Sequence, residues 1–245
     1  MDEEFEKMLK YLGLRGLLAN WDHYITIAKK GSFSSVRLLK YVIEQEYKIK
    51  QENARKRRIS LAKIPEPFVI ETFPFDRQSK LNKKIILTHY DCLDYMSKQQ
   101  NMIRIGPTGT GKTGLATAFL TQAINKGYRG KFILFPELVE TLYQSLADHS
   151  EKKVLKTFAA YDCLLIDEIG LIEIDPVQVG LFFSLMHERH KKKTTLITSN
   201  LGFDQWGSFL KNTQLTAALV DRLTENSHVI NMRNCKSLRT RLDQQ

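Results

Sequence analysis

Eight consecutive residues, Gly106-Pro107-Thr108-Gly109-Thr110-Gly111-Lys112-Thr113, carry the spacing GxxxxGK[ST]. Glycines at the turns let successive backbone N–H groups point inward, and a helix opening at the lysine adds its positive dipole end. Such a segment suits a polyphosphate. In such a loop Lys112 reaches the β- and γ-phosphates of ATP, the Thr113 hydroxyl binds Mg²⁺, and the backbone through Gly114 completes the cradle.

Farther along, Cys163-Leu164-Leu165-Ile166-Asp167-Glu168 is an apolar run ending in two acids. Carboxylates at the end of a buried strand are costly without a cation, and a Mg²⁺ ion beside the phosphates would accept them. Asp167 is the expected metal ligand and Glu168 the residue that polarises attacking water. A third run, Thr194–Ser199, leads into Asn200, which either orients that water or serves the turn. In Leu219-Val220-Asp221-Arg222-Leu223, Arg222 is a solvated helix charge, a partner of Asp221, or a finger for a neighbouring subunit's γ-phosphate.

These residues need elements to position them. Apolar runs at Met102–Ile105, Lys131–Phe135, Cys163–Asp167, Thr194–Ser199 and Val229–Asn231 read as short strands separated by helical stretches. That alternation implies parallel βαβ units in a three-layer α/β domain. The N-terminal part reads as helical. Leu9, Leu12, Leu14, Leu17, Leu18 and Trp21 form an apolar face broken at Gly13 and Gly16. A longer helix, capped by Ser34 or Ser35, carries Leu38, Leu39, Val42, Ile43 and Ile49 at near-helical spacing. Pro65 and Pro67 end it, which divides the chain into a helical domain, 1–66, and an ATPase domain, 67–245.

Charge is unevenly spread. The net charge is +10, and residues 1–85 hold 18 Lys+Arg against 11 Asp+Glu, a balance of +7. The basic end of the long helix, Lys48, Lys50, Arg55, Lys56, Arg57 and Arg58, is either a solvated face or a contact for nucleic-acid phosphates. Lys191, Lys192 and Lys193, after His187 and His190, either complement a helix C-terminus or touch a DNA backbone. The two histidines find no further metal ligand nearby. No base-reading motif accompanies either cluster, so binding to double-stranded DNA would be largely independent of sequence. The three cysteines are far apart, the N-terminus is acidic, and no apolar run is long enough for a membrane span, so a reduced, cytoplasmic protein is expected.

Taken together, Ile105-GPTGTGKT-Gly114-Leu115-Ala116, LLIDEIG ending at Gly170, TSN ending at Asn200 and DRL at 221–223 resemble the AAA+ ATPases. The resemblance is closest to the IstB-like insertion-sequence transposition helpers and their relatives, the DnaC-type helicase loaders. LxxLGLxGL around Leu9–Leu17 and Phe73-Pro74-Phe75-Asp76 extend it over nearly the whole chain. The resemblance implies an AAA+ domain with a parallel five-stranded sheet, a small all-helical N-terminal domain, and no full C-terminal lid. It makes Asn200 the sensor-1 residue and Arg222 the finger acting in trans. The sensor-2 arginine maps to Arg239, with Arg241 as a competitor. It further implies ATP and Mg²⁺ as cofactors, a homo-oligomer with shared ATP sites, DNA, and a cognate transposase. A helicase loader, or an ATP-gated DNA-binding scaffold with little turnover, would share most of these features.

Overall fold

The helical start and the α/β remainder form two compact units, residues 1–57 and residues from 58 onward, in a computed structural model that describes residues 1–31 and 33–239. In the first unit, α1 (Glu3–Tyr11) is capped by Asp2, whose carboxylate accepts the Phe5 N–H at 2.8 Å. α2 (Arg15–Ala19), α3 (Trp21–Lys29) and α4 (Ser35–Ala62) follow, the residues of α4 from Arg58 onward counting with the second unit. Gly13, at φ +66°, takes the left-handed turn between α1 and α2. Gly16 allows a close approach: a Cβ there would lie 2.6 Å from the Glu46 carboxylate, which accepts the Leu17 N–H at 2.8 Å. The apolar face expected of α4 is split. Leu38, Val42 and Ile49 are half-buried, whereas Leu39 and Ile43 stand exposed with Val36 and Tyr47. Consecutive residues on a helix point about 100° apart, and here only the edge of the stripe carrying Leu38 and Val42 is covered.

In the second unit two short 3₁₀ turns, Ile70–Thr72 and Phe75–Arg77, precede α5 (Lys83–Cys92) and α6 (Asp94–Ser97). Then β1 (Asn101–Ile105) leads into α7 (Lys112–Asn125), and β2 (Gly130–Leu134) into α8 (Phe135–Gln144) and α9 (Glu151–Ala159). β3 (Cys163–Ile169) is followed by α10 (Pro176–Arg189), and β4 (Thr194–Ser199) by α11 (Phe203–Phe209) and α12 (Thr213–Thr224). β5 (Ser227–Asn231) is the last strand. The five strands lie in the order β2-β3-β4-β1-β5 with every pairing parallel. Phe135, read as the end of a strand, opens α8 instead, because Pro136 fits the first helical turn.

Helices cover both faces of this sheet, so the central strands β3, β4 and β1 are buried along almost their whole length. One core gathers Met102, Leu115, Phe119 and Leu196 beneath α7; the other gathers Ile103, Ile166, Phe182 and Ile197 beneath α8, α10 and α12. β4 is fully buried yet mostly hydroxyl-bearing, and its side chains find partners. Thr194 donates to the Tyr95 carbonyl at 3.2 Å, and Thr195 accepts from the wholly buried Arg189 at 3.0 Å. That guanidinium also donates to the Phe158 and Tyr161 carbonyls, tying α10 to the start of β3. Burial pulls its pKa down to about 10.

Candidate nucleotide-binding site

β4 lies between the strand that feeds the glycine-rich loop and the strand that carries the acids, so the C-terminal ends of β1, β4 and β3 stand side by side. After Ile105 the chain turns at Gly106, whose N–H donates to the Ser199 carbonyl at 3.1 Å. A Cβ at Gly106 would lie 2.7 Å from the Met232 backbone. Gly109 and Gly111 adopt φ +84° and +94°, where a side chain is strained, and α7 begins directly afterwards at Lys112. Among the described residues, no acceptor is placed for any backbone N–H from Thr108 to Gly114. A ring of free donors at the start of a 14-residue helix matches the oxygens of a polyphosphate. Lys112 is 7% exposed and donates to the Pro107 carbonyl at 2.9 Å. Burial lowers its pKa, partly offset by Asp167 and Glu168, while Arg239 lowers it further.

The two acids leave β3 through a bulge. Ile166 pairs with Ile197 and Ile169 with Ser199, so one more residue runs along β3 than along β4. Glu168 takes φ +65°, a left-handed conformation unusual outside glycine. Thr198 holds the distortion: its hydroxyl donates to Asp167 and accepts the Glu168 N–H at 3.0 Å. Thr113 reaches the same carboxylate from α7, with its hydroxyl 3.1 Å from both oxygens. Asp167 is 2% exposed, and burial raises its pKa against the opposing bonds from Thr198 and Thr113. A hydroxyl and a carboxylate held in contact beside the phosphate cradle are a donor set suited to Mg²⁺. Asn200 stands at the end of β4 with its N–H on the Ile169 carbonyl at 3.3 Å.

The rim of the loop combines Phe73 and Arg239 with Phe68 and Gln78, which the sequence did not single out. A Cβ on Gly111 would meet the Phe73 ring at 2.6 Å, and one on Gly114 would meet the Phe68 ring at 3.0 Å. From the other side, Leu238 donates its N–H to the Gly109 carbonyl at 2.8 Å. Gln78 joins the two sides: its amide donates to the Thr110 carbonyl at 3.2 Å and the Lys236 carbonyl at 2.7 Å, and accepts the Lys236 N–H at 3.0 Å. Arg239 follows in this segment, its Cγ 3.5 Å from where a Gly109 Cβ would be. Arg241 lies outside the described residues.

Arg222 lies elsewhere. Its neighbour Leu223 accepts a bond from Asn101 at the opposite end of β1, a strand length of roughly 17 Å from the loop. Its guanidinium stacks on Phe183 at 4.7 Å and donates to the Ala218 carbonyl at 3.2 Å. The basic clusters differ in availability. Lys191 pairs with Glu225 and Lys193 with Asp162, leaving Lys192 exposed. Arg55 is held by Glu52 at 2.7 Å and Arg58 is half-buried, whereas Lys48, Lys50, Lys56 and Arg57 are exposed. A further basic face, Lys152, Lys153 and Lys156 on α9, is exposed and has no acidic partner among the described residues.

The model of the IstB-like ATP binding protein family matches residues 7–245. The chain belongs to this family. Among its relatives, a protein described as the ATP-binding protein of insertion sequence IS5376 from Geobacillus stearothermophilus is 29% identical, with 95% of this chain and 92% of the relative covered. One described likewise for IS232 of Bacillus thuringiensis subsp. berliner is 28% identical, covering 91% and 89%. That of IS21 from Pseudomonas aeruginosa is 27% identical, covering 94% and 86%. Among solved structures, the DnaC helicase loader superposes with a TM-score of 0.52 at 22% identity, over 60% of this chain and 85% of that one. DnaI superposes at 0.53 and 20% identity, over 60% and 81%. These likenesses establish the AAA+ fold for the IstB-like chain.

Proposed function

We propose that this IstB-like protein is a Mg²⁺-dependent ATPase that assembles on double-stranded DNA and assists a transposase. The observation that carries the ATPase part is the juxtaposition of free loop N–H groups, buried Lys112 and the Thr113–Asp167 contact. Backbone donors from Thr108 to Gly114, with Thr110 bracing the loop through the Pro107 carbonyl, would hold the phosphates. Lys112 would turn from Pro107 to the β- and γ-phosphates, and Thr113 and Asp167 would hold Mg²⁺. When bound, that cation neutralises phosphate charge as it shifts toward the leaving oxygens. Glu168, whose N–H is fixed by Thr198, would accept a proton from attacking water, with Asn200 orienting it.

Arg222 would act on the site of an adjacent copy, which makes ATP a glue for a homo-oligomer. Assembly would multiply weak contacts from Lys48, Lys50, Arg55, Lys56, Arg57, Arg58 and the Lys191–Lys193 segment into firm, sequence-tolerant DNA binding. Hydrolysis would loosen it. The insertion-sequence names of the relatives favour a transposase over a replicative helicase as the partner. Among the described residues no helix is long and apolar enough to cross a membrane, and the reading puts the protein in the cytoplasm. Phosphate release should require Mg²⁺ and rise when duplex DNA is added; ATP binding without phosphate release under any of these conditions would favour a scaffold that scarcely turns over.

A further inference from the structure

We infer that Gln78 is a positioning residue for ATP turnover: its buried amide clamps the 232–239 segment to the glycine-rich loop, so that Arg239 is held beside Gly109 of that loop. This rests on the ATPase reading above.

Gln78 is 1% exposed, and all of the hydrogen bonds described for its side chain go to backbone groups of the two segments it joins. The two bonds to Lys236 close a ring between the side-chain amide and that residue's N–H and C=O, which sit on successive peptide units, so both units are held in orientation as well as distance. The third bond goes to Thr110, inside the loop. Neither segment is regular secondary structure. The loop turns through two left-handed glycines, and beyond β5 the chain has no regular helix or strand up to Arg239. Below the clamp, Met232 donates its N–H to the Ile105 carbonyl at 2.6 Å, and above it Leu238 bonds Gly109. The clamp therefore completes a three-point attachment along the loop.

Two consequences follow. A loop that closes on phosphates carries the Thr110 carbonyl with it, and Gln78 passes that shift to the peptide three residues before Arg239. Conversely, a pull on the 232–239 segment reaches the loop through the same amide. Cys235 reports on the clamp. It is 9% exposed, its N–H donates to the Met232 carbonyl at 3.0 Å, and burial raises its thiol pKa. Cys163 is wholly buried, with its pKa pushed up to about 12, so it stays silent.

The test uses the full chain carrying Gln78→Met, similar in volume but without an amide, and Gln78→Glu, which loses both donors. Turnover, affinity for a fluorescent ATP analogue, thermal melting and alkylation of Cys235 by iodoacetamide, located by peptide mass mapping, are measured for each. Each is also combined with Arg239→Ala. We expect turnover to fall about 10- to 100-fold, Cys235 to alkylate faster, and the analogue to slow alkylation in the wild type only. In the Arg239→Ala background, Gln78→Met should cost nothing further. Wild-type turnover by Gln78→Met, or an equal loss with and without Arg239, would overturn the inference. If one variant fails to fold, the other carries the same comparison. A wild-type chain that binds ATP without hydrolysing it would sink the ATPase reading alone, since analogue-dependent protection of Cys235 still tests the clamp.

Discussion

The Thr198 hydroxyl donates to the Asp167 carboxylate while accepting the N–H of the next residue along β3, Glu168. One side chain on β4 thus aims the residue proposed for the metal and fixes the backbone of the residue proposed for water. A hydrogen bond to a charged group contributes about 1.5–3 kcal/mol, so Thr198→Val should lower turnover roughly ten- to a hundredfold. Thr198→Ser, which keeps the hydroxyl, should stay within a few-fold of wild type. Steady-state phosphate release across a Mg²⁺ titration distinguishes them, and equal rates for the two variants would remove Thr198 from the mechanism.

Lys112 and Glu168 should separate binding from chemistry. Lys112→Ala removes the buried ammonium facing the loop and should abolish ATP binding in an equilibrium titration. Glu168→Gln keeps the loop intact, so ATP should bind at near wild-type affinity while phosphate release stops. Wild-type hydrolysis by Glu168→Gln would show that another group handles the water.

The basic surfaces make separable predictions for DNA. Reversing the exposed Lys48, Lys50, Lys56 and Arg57 should weaken duplex binding alike for unrelated sequences. Each lost phosphate contact should flatten the plot of log K against log salt by about 0.9. The same measurement on a Lys152, Lys153 and Lys156 reversal tests the α9 face independently. A slope and affinity unchanged by the first set would take the N-terminal unit out of DNA binding.

The sheet and the loop were legible because they depend on local pattern. Strands covered on both faces appear as short apolar runs, and GxxxxGK[ST] can be read without knowing its neighbours. The run Thr194–Ser199 was found as a strand, but its hydroxyls gave no hint of their use. Thr198 becomes informative only when a bulge on β3 brings Asp167 and Glu168 opposite it. Gln78 is harder still, since its partner Lys236 is 158 residues away and is reached through backbone atoms that carry no sequence signal. The helix α4 was legible from its apolar spacing, but periodicity marks apolar residues only, and which of two adjacent ones is covered depends on what packs there. Lys191 and Lys193 looked like a free run because Glu225 and Asp162 come from distant parts of the chain.

The position of Arg222 leads to a final prediction. It sits a strand length from the loop of its own chain, so that loop must draw its second cation from elsewhere. Arg239 is near but belongs to the same chain, and a finger from a neighbour can raise turnover about 10³-fold or more. Stacking on Phe183 does not oppose this use, because a half-buried cation–π contact is worth only about 1–2 kcal/mol. Arg222→Ala should therefore bind ATP with little change and hydrolyse it slowly. Lys112→Ala should be inactive for a different reason, since its loop is damaged while its Arg222 is intact. Mixing the two gives interfaces in which an intact loop meets an intact finger, and turnover should rise to a maximum at an intermediate ratio. Titrating one inactive protein into the other, with light scattering to follow co-assembly on DNA, makes the measurement. Co-assembly without any recovery of turnover would mean that the site is not shared between subunits, and full activity of Arg222→Ala as a monomer would mean that it does not need to be.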